Sequence, residues 1–183
     1  MSTKLTKYII AITIQIMIIL VIIIFKYSIL SGGTEVFLRI LPVDPRDFLR
    51  GDYVTFQYDI SSLPYYLSQD PINNQDTVYV ELDDNHTHWI AKKIYKTHPQ
   101  DGKVYIKARV ISGANNPLDK NLNRQFRNYT EIKVVYGIEQ YFIPENKGKN
   151  FNFNNKNSYA KVVIDDQGNA VLKQIYIDDQ PWP

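Results

Sequence analysis

Two hydrophobic patterns divide the chain. From Tyr8 to Phe25 about 18 residues pass without a charge, and at 1.5 Å rise per residue they reach about 27 Å, close to the hydrocarbon thickness of a bilayer. Only Thr13 and Gln15 interrupt this run, on no repeating face, whereas a core helix shows a polar stripe every three to four residues. The pattern predicts an N-terminal membrane anchor, residues 1–30. A cleaved signal peptide is the competing reading: Ser31-Gly32-Gly33 supplies small residues, but Lys26 breaks the run before them. Lys4 and Lys7 ahead of the span favour a cytoplasmic N-terminus, which puts the rest of the chain in the periplasm or outside the cell.

After a short linker, 31–33, the period changes to two. Glu35–Leu41, Asp52–Ile60, Thr77–Leu82, Trp89–Thr97, Lys103–Ile111, Glu131–Tyr136, Ile138–Ile143, Tyr159–Ile164 and Ala170–Ile177 read as strands rich in β-branched and aromatic residues. Turn chemistry separates several of them. Asp83-Asp84-Asn85, Pro99-Gln100-Asp101-Gly102 and Asp165 to Asn169 each predict a hairpin. Leu63–Asn74, Ser112–Thr130 and Lys147–Asn157 read as surface loops. No amphipathic helix follows the anchor, so residues 34–183 are expected to form one mainly β domain, a mostly antiparallel β-sandwich or partly open β-barrel.

Composition narrows the function classes. Removing Lys4, Lys7 and Lys26 from the 21 basic residues leaves 18 against 19 acidic ones, all in the body, so no counterion-release drive toward phosphates is expected and nucleic acid is excluded as a partner. With no cysteine, neither a disulfide nor a thiol nucleophile is available. Packing must stabilise the domain, and 14 tyrosines and 8 phenylalanines supply large apolar surfaces for it.

The most distinctive window is Leu41-Pro-Val-Asp44-Pro45-Arg46-Asp47-Phe48-Leu49-Arg50-Gly51-Asp52-Tyr53-Val54-Thr55-Phe56-Gln57-Tyr58. Pro45 restricts Asp44, Asp47 suits a local turn, and Gly51 can take a positive φ before the strand. Arg46 or Arg50 paired with Asp47 or Asp52 would pin the turn. Along the strand Val54, Phe56 and Tyr58 share one face and Tyr53, Thr55 and Gln57 the other. The segment is thus a folding device, or else Arg46, Arg50, Asp52 and Tyr53 face a partner or ligand near the membrane. In a second window, Tyr136-Gly137-Ile138-Glu139-Gln140-Tyr141-Phe142-Ile143-Pro144-Glu145, the Glu139 carboxylate sits among apolar neighbours and must face solvent or find a donor.

These two windows, with Asp166-x-Gly168-x-Ala170-x-Leu172-Lys173 near the C-terminus, resemble the family of bacterial membrane-anchored proteins named for Gly-Asp-Tyr-x-x-Leu-x-Tyr. Phe56 stands where the family name has leucine. The resemblance implies a single N-terminal span and an exported domain that accompanies polytopic membrane proteins. It implies no activity.

Enzyme readings find little footing. The three histidines are His86, His88 and His98, and His86-Thr87-His88 would offer at most two metal ligands, so neither metal nor cofactor is expected. A Ser-Lys membrane peptidase similar to type I signal peptidases shares the Gly51-Asp52 strand opening, but the context of Ser28 and Ser31 lacks that family's motif, and Lys92 or Lys93 is a base by position alone. The expected function is interaction, as companion or assembly factor of a polytopic membrane protein. The alternatives are that peptidase and an extracellular small-ligand sensor.

Overall fold

A computed structural model describes residues 3–41, 53–113, 131–142 and 156–182 of the 183-residue chain. Helix α1 (Thr3–Gly32) exposes its apolar side chains around the whole circumference, from Leu5 through Phe25. Such a surface is stable in lipid rather than in water, and α1 is long and apolar enough to cross a membrane. Helix continues through Ser31 and Gly32, so of the expected linker only Gly33 stands between α1 and the body.

At its C-terminal end α1 touches the body. Ile29 is only 2% exposed, and the Gly33 N–H donates to the Ile29 carbonyl at 3.0 Å. A Cβ at Gly33 would lie 2.6 Å from the Ile164 carbonyl oxygen, so only glycine allows this approach.

Among the described residues the body has twelve strands: β1 (Thr34–Leu41), β2 (Tyr53–Thr55), β3 (Gln57–Tyr58), β4 (Ser62–Pro64), β5 (Thr77–Asp84), β6 (Trp89–Tyr95), β7 (Tyr105–Ser112), β8 (Glu131–Val135), β9 (Gln140–Phe142), β10 (Ser158–Ile164), β11 (Ala170–Ile177) and β12 (Gln180–Trp182). One sheet has the order β12-β11-β10-β1-β3, a second β4-β8-β7-β5-β6, and β2 and β9 form a ribbon between them. All strand pairs are antiparallel. Alternation sends Val36, Leu38 and Ile40 of β1, Val78, Val80 and Leu82 of β5, and Ile106, Ala108 and Val110 of β7 into a single core. Each fully buried Val, Leu or Ile contributes about 1.5–3 kcal/mol, which is how a domain without disulfides holds together. The sheets meet again where Lys107 N–H donates to the Gly168 carbonyl at 2.8 Å, so the body is a nearly closed antiparallel barrel.

The expected strands are present, with three differences. The strand foreseen over Asp52–Ile60 is divided at Phe56 into β2 and β3, which pair with different partners, and ends in a 3-10 turn at Asp59–Ser61. Of the three hairpins, β5–β6 and β10–β11 form, but Pro99–Gly102 does not close one. Strands β6 and β7 flank β5 on opposite sides, so this segment crosses over β5. Leu63–Asn74 is a surface loop only in its second half: it begins in β4 and continues in a 3-10 turn at Tyr65–Leu67, burying Leu63 and Tyr65, before an irregular stretch that is exposed apart from Ile72. Strands β4 and β12 escape sequence reading because each is three residues long and contains a proline, tolerated here because both lie at sheet edges. Most of the other two expected loops falls at residues 114–130 and 143–155, outside the described residues.

Gly33→Val is expected to lower the stability of the detergent-solubilised full chain by about 1–3 kcal/mol, because the added side chain must displace the β10 backbone or the helix end. Chemical denaturation followed by tryptophan fluorescence measures this, and an unchanged midpoint would contradict the close approach.

Candidate functional site

The two distinctive sequence windows meet in space. Strand β2 pairs with β9 in the register Tyr53–Phe142, Val54–Tyr141 and Thr55–Gln140, and the Phe56 N–H continues the ladder to the Glu139 carbonyl at 3.1 Å. The chain then pairs with β1 through β3 and with β8 through β4. Residues 53–64 therefore visit both sheets and the ribbon within twelve positions. Val54, Phe56 and Tyr58 are fully buried, while Gln57 is exposed, as the alternation foresaw. Asp44, Arg46, Asp47, Arg50, Gly51 and Asp52 lie outside the described residues.

Tyr58 and Tyr136 lock the seam reciprocally. The Tyr58 hydroxyl donates to the Ile138 carbonyl at 2.7 Å, and the Tyr136 hydroxyl donates to the Ile60 carbonyl at 2.6 Å. Each ring thus satisfies a buried carbonyl two residues beyond the other, and the rings meet edge to face at 6.2 Å, with Phe56 packed on Tyr58 at 5.5 Å. Burial, and secondarily the Glu139 charge, pushes both phenols well above the ordinary tyrosine range, so they remain donors. The Ser61 hydroxyl accepts the Tyr58 N–H at 3.0 Å and closes the turn.

Glu139 is half-buried, and its carboxylate accepts the Tyr136 N–H across a turn in which Gly137 has a φ of +78°. The group is thus held by backbone, in a conformation that glycine supplies at low cost. Tyr141 packs partly against the core beside Trp182, at 6.4 Å between ring centres, and burial raises its phenol. Tyr53, Tyr58, Tyr136, Gly137, Glu139 and Tyr141 therefore all belong to the ribbon and its continuation.

Three features were not legible beforehand. His88 Nε2 lies 3.2 Å from Asp59 Oδ2, with the two side chains 14% and 23% exposed. Their other polar atoms, Asp59 Oδ1 and His88 Nδ1, are buried without a hydrogen-bond partner among the described residues. Burial raises the Asp59 carboxyl, opposed by His88 and Arg39. Glu81, 2% exposed, accepts from Lys103 Nζ at 2.9 Å and from the Tyr95 hydroxyl at 3.0 Å beneath the crossing segment. Those partners hold the Lys103 ammonium above its ordinary range, Glu81 first and Asp101 second. The third feature is a cleft of about 560 Å³ whose walls include Phe37, Tyr159, Tyr176, His86 and Asp179. Its strands are far apart in sequence, and only the sheet order joins them.

Among the described residues no three His, Cys, Asp or Glu side chains gather around one point that could hold a metal ion. Of the four residues considered for a Ser-Lys peptidase, two are engaged locally: the Ser31 hydroxyl donates to the Tyr27 carbonyl at 3.0 Å, and Lys92 pairs with Asp83 at 2.7 Å.

One apolar helix carrying a nearly closed antiparallel β body, stitched by a doubly pairing tyrosine strand, defines a class of protein built as a foot and a head. The chain belongs to the GDYXXLXY family: the model described as GDYXXLXY protein matches residues 15–175, from within the helix to within β11. No curated protein and no solved structure matches the chain.

Tyr58→Phe and Tyr136→Phe are each expected to cost about 1–3 kcal/mol, since each strands a buried carbonyl. Because the two bonds close one loop, the double variant should depart from additivity by about 0.5 kcal/mol or more in a denaturation cycle. Additive losses would mean two independent contacts.

The raised Asp59 carboxyl makes the folded state bind a proton more readily than the unfolded chain. Its contribution to stability is therefore greatest below the ordinary aspartate value of about 3.8 and is lost as pH rises through the higher folded value. Unfolding measured from pH 3.5 to 6 should show Asp59→Asn gaining on wild type as pH rises. A constant difference would remove the proposed penalty.

Proposed function

We propose that the protein is a single-pass membrane protein, N-terminus cytoplasmic and body periplasmic or extracellular, that works by binding as companion or assembly factor of an integral membrane protein. The observation that carries this reading is the combination of a helix apolar on every side with a body tied directly to its end through Ile29 and Gly33. A neighbour packed against the helix in the bilayer would meet the β body at the membrane surface without a flexible linker between them. Tyr8 and Tyr27, both exposed, stand near the two ends of the apolar run, where aromatic side chains favour the membrane interface. Lys4 and Lys7 on one flank against Lys26 on the other favour the stated orientation.

The motif contributes in two ways under this reading. Its inward face, Val54, Phe56 and Tyr58, builds the body, and this reading assigns Arg46, Arg50, Asp52 and Tyr53 to contact with the partner. A second reading, a sensor of a small external ligand, draws on the aromatic cleft of Phe37, Tyr159 and Tyr176.

Mild crosslinking of native membranes followed by purification of the full-length protein tests the companion reading. One polytopic membrane protein should be recovered in stoichiometric amount with wild type and lost with Arg50→Ala or Asp52→Ala at matched levels of folded protein. Recovery of no stoichiometric partner overturns it. Release of the protein by alkaline carbonate without detergent would overturn the membrane span itself.

A further inference from the structure

The end of the helix and the body enclose a cleft of about 400 Å³ that differs in charge from the rest of the molecule. Lys26 enters it from α1, and Lys107 and Arg109 enter it from the outward face of β7, while its lining contains no carboxylate. In a body whose 18 basic and 19 acidic residues nearly cancel, three cations around one opening are a local concentration of one sign. Five lysines elsewhere on the body are neutralised: Lys161 and Lys173 both hold Glu35, Lys92 holds Asp83, Lys96 holds Asp76, and Lys103 holds Glu81, while Lys93 and Lys133 stand singly on exposed strand positions. Among the described residues no carboxylate pairs with Lys26, Lys107 or Arg109.

The cleft is built rather than incidental. The Lys107 N–H is bonded to the Gly168 carbonyl at 2.8 Å, which fixes β7 against the β10–β11 turn. A Cβ on Gly168 would lie 3.2 Å from both Lys107 N and the Tyr105 carbonyl oxygen, so the absent side chain permits this close contact. The remaining polar lining includes Thr77, able to donate to an anionic oxygen, and Asn169, whose side-chain amide is already donating to Asp165 at 2.9 Å and keeps one further N–H. Its position follows from the helix. Phe25 ends the uncharged run and also lines the cleft, so with α1 in a bilayer the opening lies at the depth of the lipid headgroups.

We infer that this cleft binds the phosphodiester headgroup of an anionic membrane lipid, with Arg109 and Lys107 gripping the phosphate from the body and Lys26 from the helix. The site seats the body on the membrane surface at a defined height. It requires α1 to lie in the bilayer, as proposed above, but no protein partner.

The test uses the full-length protein purified in a non-ionic detergent and exchanged into mixed micelles with equal amounts of phosphatidylglycerol and phosphatidylcholine. Native mass spectrometry counts the lipids retained. Wild type is expected to retain phosphatidylglycerol over phosphatidylcholine by about fivefold or more. Lys107→Gln with Arg109→Gln should lose that preference. Lys93→Gln with Lys133→Gln removes the same charge from exposed strand positions outside the cleft and should keep it. Equal retention of the two lipids by wild type, equal loss in both double variants, or displacement of the lipid by millimolar inorganic phosphate would each overturn the inference. Circular dichroism and the unfolding midpoint verify folding, and if the first pair unfolds the protein, Lys26→Gln on the exposed helix side replaces it. Failure of the span is read separately, as protein recovered without detergent.

Discussion

The structure depends on one short segment being satisfied in three directions at once. From Tyr53 to Pro64 the backbone pairs in turn with β9, β1 and β8, and a strand that changes partner so quickly leaves carbonyls stranded at each change. The Ile60 carbonyl of this segment and the Ile138 carbonyl of the facing β8–β9 connection are both buried, and the hydroxyls of Tyr136 and Tyr58 take them. The exchange explains why both partners are tyrosines: phenylalanine would fill the same volume but leave the carbonyls unpaired. It also explains why the ribbon stays attached to the sheets although β2 and β9 are only three residues each.

Much of this was legible in the sequence where the physical signal is local. The uncharged run over Tyr8–Phe25, the alternation of Val36, Leu38 and Ile40, and the inward set Val54, Phe56 and Tyr58 each follow from period and side-chain type alone. What could not be read was sheet order. Pro99–Gly102 carries hairpin chemistry but bridges strands separated by β5, because a turn signal states that the chain bends and not which neighbour it finds. Tyr58 and Tyr136 stood out separately, yet nothing in residue type announces that each donates into the other's segment. The Asp59–His88 pair rests on the 3-10 turn that ends β3 meeting the start of β6, a contact invisible to any local pattern.

Charge placement repeats the contrast between local and global. The sequence balance of the body is near zero, which reads as an undirected surface. In space five of the described lysines are held by carboxylates, two of them on Glu35 at the outer face of β1, β10 and β11. The cations beside the helix end have no such partner among the described residues, so a neutral total conceals an oriented distribution.

The sheet margins carry a further consequence. Strands β4 and β12 end their sheets with Pro64 and Pro181, β3 is two residues long, and β6 presents Lys92 and Lys93 and is bridged through Ile94 by Ser68. Proline withholds the N–H that an incoming strand would need, and a charged or very short margin disfavours pairing. The margins of the two five-stranded sheets therefore disfavour recruitment by strand addition. Copies held close together by their helices would be kept from zipping into one another along these margins.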